Sequence, residues 1–281
     1  MEAIIVTSRQ NPIVKDVCAL IDKKNRTKSG LFRFDGIKLL EEAIDARLGM
    51  KYIIFREDLR DKADPLINRA LSLGLVEPRG IICVNAPVFE KISEERAPEG
   101  IITVAKMKKD LHMNADTDNI CKFVKNNESI LIAESLRDPG NLGTVIRSGY
   151  ALGIDKLVLT SDCADIYNPK TIRAGMGSIF KLPTVTVSNA SLADCIRLLR
   201  ASGRKVYATA LDEKSVDISS IKIEHGDCFL IGNEGHGLSQ DAIDACDGSV
   251  IIPMREGAES LNAAAAAAIC IWETVRSRGG K

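Results

Sequence analysis

Three stretches in the second half of the chain place glycine, amide and carboxylate residues directly after an apolar run: AESLRDPGNLG (133–143), IGNEGHGLS (231–239) and MREGAESLN (254–262). Glycine at a strand-to-helix turn permits a positive φ and lets backbone N–H groups approach a ligand. A turn alone explains one such loop, whereas three suggest a shared site. Their polar set is Asn141, Glu234, Ser260 and Asn262, with Arg147 following Asn141 inside an otherwise apolar helical pattern. Neither GxGxxG after the first strand nor GxxxxGK[ST] anywhere is present, so the known dinucleotide and nucleotide-phosphate cradles are excluded. No GxSxG elbow is present and Ser260 has no plausible His and Asp partners, which argues against hydrolase chemistry.

The elements that must position these residues alternate along the chain. Helical patterns NPIVKDVCALIDKK, IKLLEEAIDARL, DPLINRALSLG and APVFEKISE alternate with strands LFRFDG, KYIIFRE, IICVN and GIITVAKM. They predict a compact α/β module over residues 1–107. Residues 108–128, polar and rich in Asn and Asp, read as a linker. From 129 to 281 the short apolar strands ILIAES, KLVLT, TVTVS, KVYATAL, DCFLIGNE and SVIIPM are interspersed with helical patterns, the last a long one, ESLNAAAAAAICIWETVRSRG. That pattern predicts a parallel sheet buried on both faces. In such sheets ligands gather at the carboxyl ends of the strands, where the three loops lie. The alanine run 263–268 is accounted for by helix propensity and close backbone approach.

Hydrophobic residues make up 45% and charged residues 27% of the 281, the profile of a globular protein. No apolar run approaches the roughly 20 residues of a membrane span. The amino terminus, MEAIIVTSRQNPIVK, lacks a basic segment followed by a long apolar stretch, so a cytoplasmic protein without membrane contact is expected. Eight cysteines are scattered singly and three histidines lie far apart; reduced structural thiols and no metal site are expected. Net charge is zero, so any nucleic-acid contact must come from local patches. Lys15, Lys23, Lys24, Arg26, Lys28, Arg33 and Lys38 face only Asp16, Asp22 and Asp35 over one such stretch, with Phe32 and Phe34 among them. Phosphate contact plus base stacking is one reading; a solvated helix end, with both rings on the inward face of a strand, is the other.

Taken in order, DPGNLGTVIRSGYALG, YNPKTIRAGMGSIFKLP, LIGNEGHGLS and IPMREGAESLNAAAAAAI resemble the motif series of the SpoU/TrmH family of RNA ribose 2′-O-methyltransferases. That family belongs to the knotted SPOUT superfamily, which uses S-adenosylmethionine. The opening TSRQNPIVK and GLFRFDGIKLLEEAI are similar to the substrate-binding domain of the branch that acts on large-subunit ribosomal RNA. The resemblance covers nearly the whole chain and is weakest in the linker. It implies an α/β fold: a C-terminal parallel-sheet domain with a deep trefoil knot, an exception to the rule against threaded connections, and a smaller N-terminal α/β RNA-binding domain. It also implies a homodimer that transfers a methyl group to a ribose 2′-hydroxyl of structured RNA, foremost 23S ribosomal RNA.

By motif match, the resemblance places S-adenosylmethionine against Thr209, Ala210, Leu211, Ile231, Gly232, Asn233, Gly235, Ile252, Pro253, Met254, Ser260 and Leu261. The implied catalytic set is Asn141, Arg147, Glu234, Ser260 and Asn262, and the RNA track comprises Lys23, Lys24, Arg26, Lys28, Lys170, Arg173 and Lys181. The family arginine is often described as a general base, but a guanidinium does not normally release its proton inside a protein. Clamping a phosphate and stabilising alkoxide charge is the more conservative role for Arg147. His236, the only histidine in these motifs, is a candidate proton acceptor. Asn141 reads as an N-cap whose amide also faces the pocket, and capping is the rival role for Ser260 and Asn262. Glu234 either pairs with Arg147 or is merely solvated. A non-catalytic RNA-binding or ribosome-assembly protein, and a transfer-RNA methyltransferase, remain the alternatives.

Overall fold

The computed structural model describes residues 3–95, 97–115, 120, 122–125, 127–212, 214–224, 226–233, 235–258 and 260–276. The chain divides into two compact units, 1–108 with 167–180, and 109–166 with 181–281. Residues 167–180, which the sequence pattern groups with the second half, therefore belong to the first unit.

The first unit is built on β1 (Ile4–Val6), β2 (Leu31–Asp35), β3 (Met50–Arg56), β4 (Ile81–Val84) and β5 (Ile101–Lys106), in the order β1-β4-β3-β5-β2. β1, β4 and β3 are parallel, and β5 runs antiparallel to both its neighbours. Strand periodicity puts Phe32 and Phe34 on one face. Both are buried, and their rings lie 4.6 Å from Tyr167 and 5.2 Å from Phe180 respectively. The stacking-platform reading is thus corrected: these rings form an aromatic core that anchors residues 167–180.

The stretch KKNRTKS is a helix, Lys23–Ser29, closed by Gly30 at φ +67°, a left-handed cap that glycine adopts at little cost. Lys23, Lys24 and Lys28 are exposed on it. Arg26 is not: it is 2% exposed, and its Nη1 donates to the carbonyls of Leu20 (2.9 Å) and Ile21. These carbonyls follow the helix Pro12–Ala19 and would otherwise lack a donor. Arg26 is therefore removed from the predicted RNA track, because its charge is spent inside the unit.

The second unit carries β6 (His112–Asn114), β7 (Ile130–Ala133), β8 (Lys156–Thr160), β9 (Thr184–Val187), β10 (Val206–Thr209), β11 (Val216–Asp217), β12 (Cys228–Ile231) and β13 (Gly248–Ile251). Their order is β11-β13-β10-β12-β7-β8-β9-β6 and every pairing is parallel. β6 arises within the stretch read as a linker.

One face of the sheet buries Ile130, Ile132, Val158, Val206 and Leu230 against Leu192, Cys195, Ile196 and Leu199 of the helix Leu192–Ala201. On the other, the helix Ala263–Arg276 packs against β12 and alongside Pro139–Leu152. Small residues make the helix contact close. Ala263, Ala264 and Ala267 are buried, and a Cβ on Gly149 would meet Ile154 at 3.0 Å and Ile271 at 3.9 Å. Burial pushes the Cys246 and Cys270 thiols up to about 12, as expected of inert core cysteines.

Candidate active site

All strands of the second unit point the same way, so their carboxyl ends share one edge. At the ends of β10, β12 and β13 lies a cleft of ≈ 510 Å³, within the usual range for small-molecule sites. Its lining includes Thr209, Ala210, Leu211, Ile231, Gly232, Asn233, Gly235, Ile252, Met254, Ser260 and Leu261. Of the residues matched to the cofactor, Pro253 alone is absent from the lining; it is exposed. His236, Gly237, Leu238 and Ile243 also line the cleft. The first three lie inside the glycine-rich stretch 231–239, while nothing local marks Ile243.

The loop after β12 closes on itself. Asn233 and Gly237 exchange backbone hydrogen bonds of 3.2 and 3.0 Å, and the Asn233 Oδ1 accepts from the N–H groups of Gly235 (2.7 Å) and His236 (3.3 Å). A Cβ at Gly232 would sit 2.6 Å from the Gly237 carbonyl carbon, so this position tolerates only hydrogen. Asn233 Nδ2 also donates to the Ser135 carbonyl at 2.8 Å, and Glu134 Oε2 accepts from the Ser239 N–H at 3.0 Å. The loops after β7 and β12 are thereby tied together. Glu134, 6% exposed, escaped sequence reading because a carboxylate ending a strand gives no local sign of the distant N–H it will meet.

Asn141 does not cap its helix. The helix Pro139–Leu152 has Asp138 as N-cap, accepting from the Asn141 N–H at 2.8 Å. The Asn141 side chain instead accepts from Asn262 Nδ2 at 3.0 Å. Asn262 is itself a cap, its Oδ1 accepting from the Ala264 (2.9 Å) and Ala265 (3.3 Å) N–H groups at the start of the last helix. The amino-terminal turns of the two helices are thus bridged by a pair of amides, and their aligned N–H dipoles favour negative charge there. Asn262 lies between the cleft-lining Leu261 and Ala263.

Arg147 is exposed on the Asn141 helix, about 9 Å further along its axis at 1.5 Å per residue. It enters no hydrogen bond or ion pair with another described residue. Glu234 lies outside the described residues. Of the remaining RNA-track candidates, Lys170 is exposed and Arg173 lies 3.7 Å from Glu95 within the first unit. In the second unit, Lys181 lies over the Tyr150 ring at 5.4 Å.

Comparison with known proteins agrees with this arrangement. Residues 128–272 match the SpoU rRNA Methylase family, and residues 11–103 match the MRM3-like substrate binding domain. The chain is 32% identical over 269 residues to the 23S rRNA (guanosine(2553)-2′-O)-methyltransferase RlmP of Bacillus subtilis, covering 95% of this chain and 97% of that protein. The AdoMet-bound rRNA methyltransferase from Sinorhizobium meliloti superposes with a TM-score of 0.81 at 29% identity, over 97% of each chain. The SpoU methyltransferase AviRb from Streptomyces viridochromogenes, in complex with AdoMet, gives 0.78 at 28% identity over 95% of this chain and 99% of that one. The fold is the one these proteins share, a trefoil-knotted parallel-sheet domain with a smaller N-terminal α/β domain. On its sequence and its architecture alike, the chain belongs to the SpoU rRNA Methylase family.

Proposed function

We propose that this protein transfers a methyl group from S-adenosylmethionine to the 2′-hydroxyl of a ribose in 23S ribosomal RNA, acting as a cytoplasmic homodimer. The observation that carries the reading is the cleft at the ends of β10, β12 and β13, beside the amide bridge between Asn141 and Asn262. The cleft fits the cofactor. Gly232 lets the loop after β12 close against the Gly237 backbone on its lining, and two large exposed apolar residues, Leu211 at 67% and Leu261 at 38%, stand there as well, suited to flank a purine ring. Thr209, Ala210, Leu211, Ile231, Gly232, Asn233, Gly235, Ile252, Met254, Ser260 and Leu261 would hold it. When bound, S-adenosylmethionine supplies an electrophilic methyl group on sulfur.

The chain's own residues must orient a weakly acidic hydroxyl and handle its proton. Arg147 acts as an electrostatic clamp, on the phosphate beside the target ribose and on the alkoxide charge that develops. Asn141, fixed by Asn262, orients the substrate, and Ser260 and Glu234 complete the catalytic set. His236 on the cleft lining is the acceptor to test for the departing proton.

Residues 1–107 serve as the RNA-binding domain, with Lys23, Lys24 and Lys28 as its phosphate contacts; Lys170, Arg173 and Lys181 extend the track. The methyltransferase domain, 129–281, takes β6 of the intervening stretch 108–128 into its sheet, and its residues 167–180 belong to the first unit. Dimerisation is supported by Trp272 (52% exposed) and Tyr150 (45% exposed) on the two adjacent helices, large aromatic side chains of the kind enriched at interfaces. The cytoplasmic assignment rests on the proposed substrate and on the finding that no helix among the described residues is long and apolar enough to cross a membrane.

The test is a nucleotide-resolution map of ribose methylation in total RNA from cells with and without the protein. One 2′-O-methyl group in 23S RNA should vanish on deletion and return with the wild type but not with Arg147→Ala, which should still bind the cofactor. A deletion map identical to the parent's, or an Arg147→Ala protein that no longer binds S-adenosylmethionine, would refute the reading or the role given to Arg147.

A further inference from the structure

We propose that Asp162 is a positioning residue for methyl transfer: it holds the turn at Ser135 in its left-handed conformation and, through Ser135, sets the Asn233 loop that walls the cofactor cleft. The proposal rests on the functional reading above only for what the cleft binds.

Asp162 lies two residues beyond β8 and does not line the cleft. Its carboxylate accepts four side-chain hydrogen bonds. Oδ2 takes Ser135 Oγ at 2.6 Å and Arg137 Nη2 at 3.1 Å, while Oδ1 takes Thr160 Oγ1 and Asn189 Nδ2, both at 2.7 Å. Thr160 Oγ1 in turn accepts the Ser135 N–H at 2.8 Å. Both donors of Ser135 therefore end on this one cluster. Burial opposes the Asp162 charge, yet the bonds from Ser135, Asn189, Thr160 and Arg137 outweigh it and hold the carboxyl well below the usual carboxylate range.

Ser135 needs this support because its φ is +55°, a region that residues bearing a Cβ rarely occupy. Strain of this kind persists only where surrounding contacts over-determine it. The strained turn aims the Ser135 carbonyl at Asn233 Nδ2, 2.8 Å away. Asn233 then gathers the Gly235 and His236 N–H groups onto its Oδ1. A continuous hydrogen-bonded path thus runs from Asp162, at the end of β8, to the cleft wall after β12. Releasing the turn would swing that carbonyl away and leave the Asn233 amide without its acceptor, so the loop would lose its anchor while the sheet beneath stayed intact.

The test compares the full-length wild type with Asp162→Asn, Asp162→Ala and Asp162→Ala/Ser135→Gly. Amide hydrogen exchange is followed without cofactor, and S-adenosylmethionine binding is measured by calorimetry. In Asp162→Ala, exchange at residues 232–238 should rise about tenfold, the size of one lost charge-assisted hydrogen bond, with the strands of both sheets unchanged. Asp162→Asn should show a smaller rise. Cofactor affinity should fall by about the same factor as exchange rises, and Ser135→Gly should recover most of both losses, because glycine adopts φ +55° without support. Unchanged exchange at 232–238 would overturn the proposal. So would a rise spread evenly over the second unit, or no recovery with Ser135→Gly. A wild type that fails to bind S-adenosylmethionine, with the loop response still present, would overturn the cofactor reading and support the coupling.

Discussion

The amide bridge between the two site helices makes a prediction that separates stability from chemistry. Asn262 does two things: its Oδ1 caps the last helix on the Ala264 and Ala265 N–H groups, and its Nδ2 holds Asn141. Asn262→Ala removes both. An N-cap is worth about 1 kcal/mol, and a hydrogen bond between exposed amides about 0.5 kcal/mol. The sum, about 1.5 kcal/mol, should lower the melting temperature of the second unit by about 3–6 °C. Asn262→Asp divides the two roles. Its carboxylate still caps, favoured by the helix dipole, but can only accept, so the Asn141 amide must turn over to donate to it and presents Oδ1 rather than Nδ2 to the site. It should melt within about 1 °C of the wild type, because the cap is retained. Its single-turnover methyl transfer, followed with a radiolabelled donor, should drop about 10- to 100-fold, the cost of a misplaced orienting group. Full transfer by Asn262→Asp would reduce the bridge to a helix cap and remove Asn141 from the catalytic set.

Other perturbations address the cleft, the RNA track and the first unit. Gly232→Ala puts a Cβ 2.6 Å from the Gly237 backbone with no flexible side chain to yield; S-adenosylmethionine affinity should fall at least about tenfold with circular dichroism unchanged, and unaltered affinity would contradict the loop geometry. Changing Lys23, Lys24 and Lys28 together to Gln should reduce the slope of log K against log salt for RNA binding by about 2. Arg26→Ala should instead lower the stability of the first unit by about 1–3 kcal/mol, because the Leu20 and Ile21 carbonyls lose a buried charged donor. Burial pushes the Asp35 carboxyl up to about 6, against the pull of Arg33 at 3.6 Å. Between the ordinary carboxylate value of 3.8 and about 6 the folded state holds a proton that the unfolded state has lost, so stability falls as pH rises through that window, by at most about 3 kcal/mol. Melting curves from pH 4 to 7 should show this fall in the wild type and not in Asp35→Asn; parallel curves would refute it.

What the sequence disclosed divides along physical lines. The strands from β7 to β13 that carry the cleft are mostly uninterrupted apolar runs, since a parallel strand covered on both faces has no polar side to alternate with. Their glycine-rich endings mark the ligand edge, because close backbone approach requires a missing Cβ. Charges and amides were less legible. Lys23, Lys24, Arg26 and Lys28 look alike as a basic run, yet the 3.6-residue period turns Arg26 alone inward, onto the carbonyls of Leu20 and Ile21. Phe32 and Phe34 were readable as inward-facing, but their partners Tyr167 and Phe180 lie more than a hundred residues away and no local pattern names them. The cap of the Asn141 helix is the instructive case, because its signal was present. Proline is favoured at the first helical position, where its missing N–H costs nothing, so Pro139 in RDPGN already fixes Asp138 as the cap. That shift of three residues changes what Asn141 is. As a cap its side chain would be consumed by its own helix; inside the first turn it is left to meet Asn262, across 121 residues of chain. The aspartate that takes over the capping is thus what makes an asparagine available to the site.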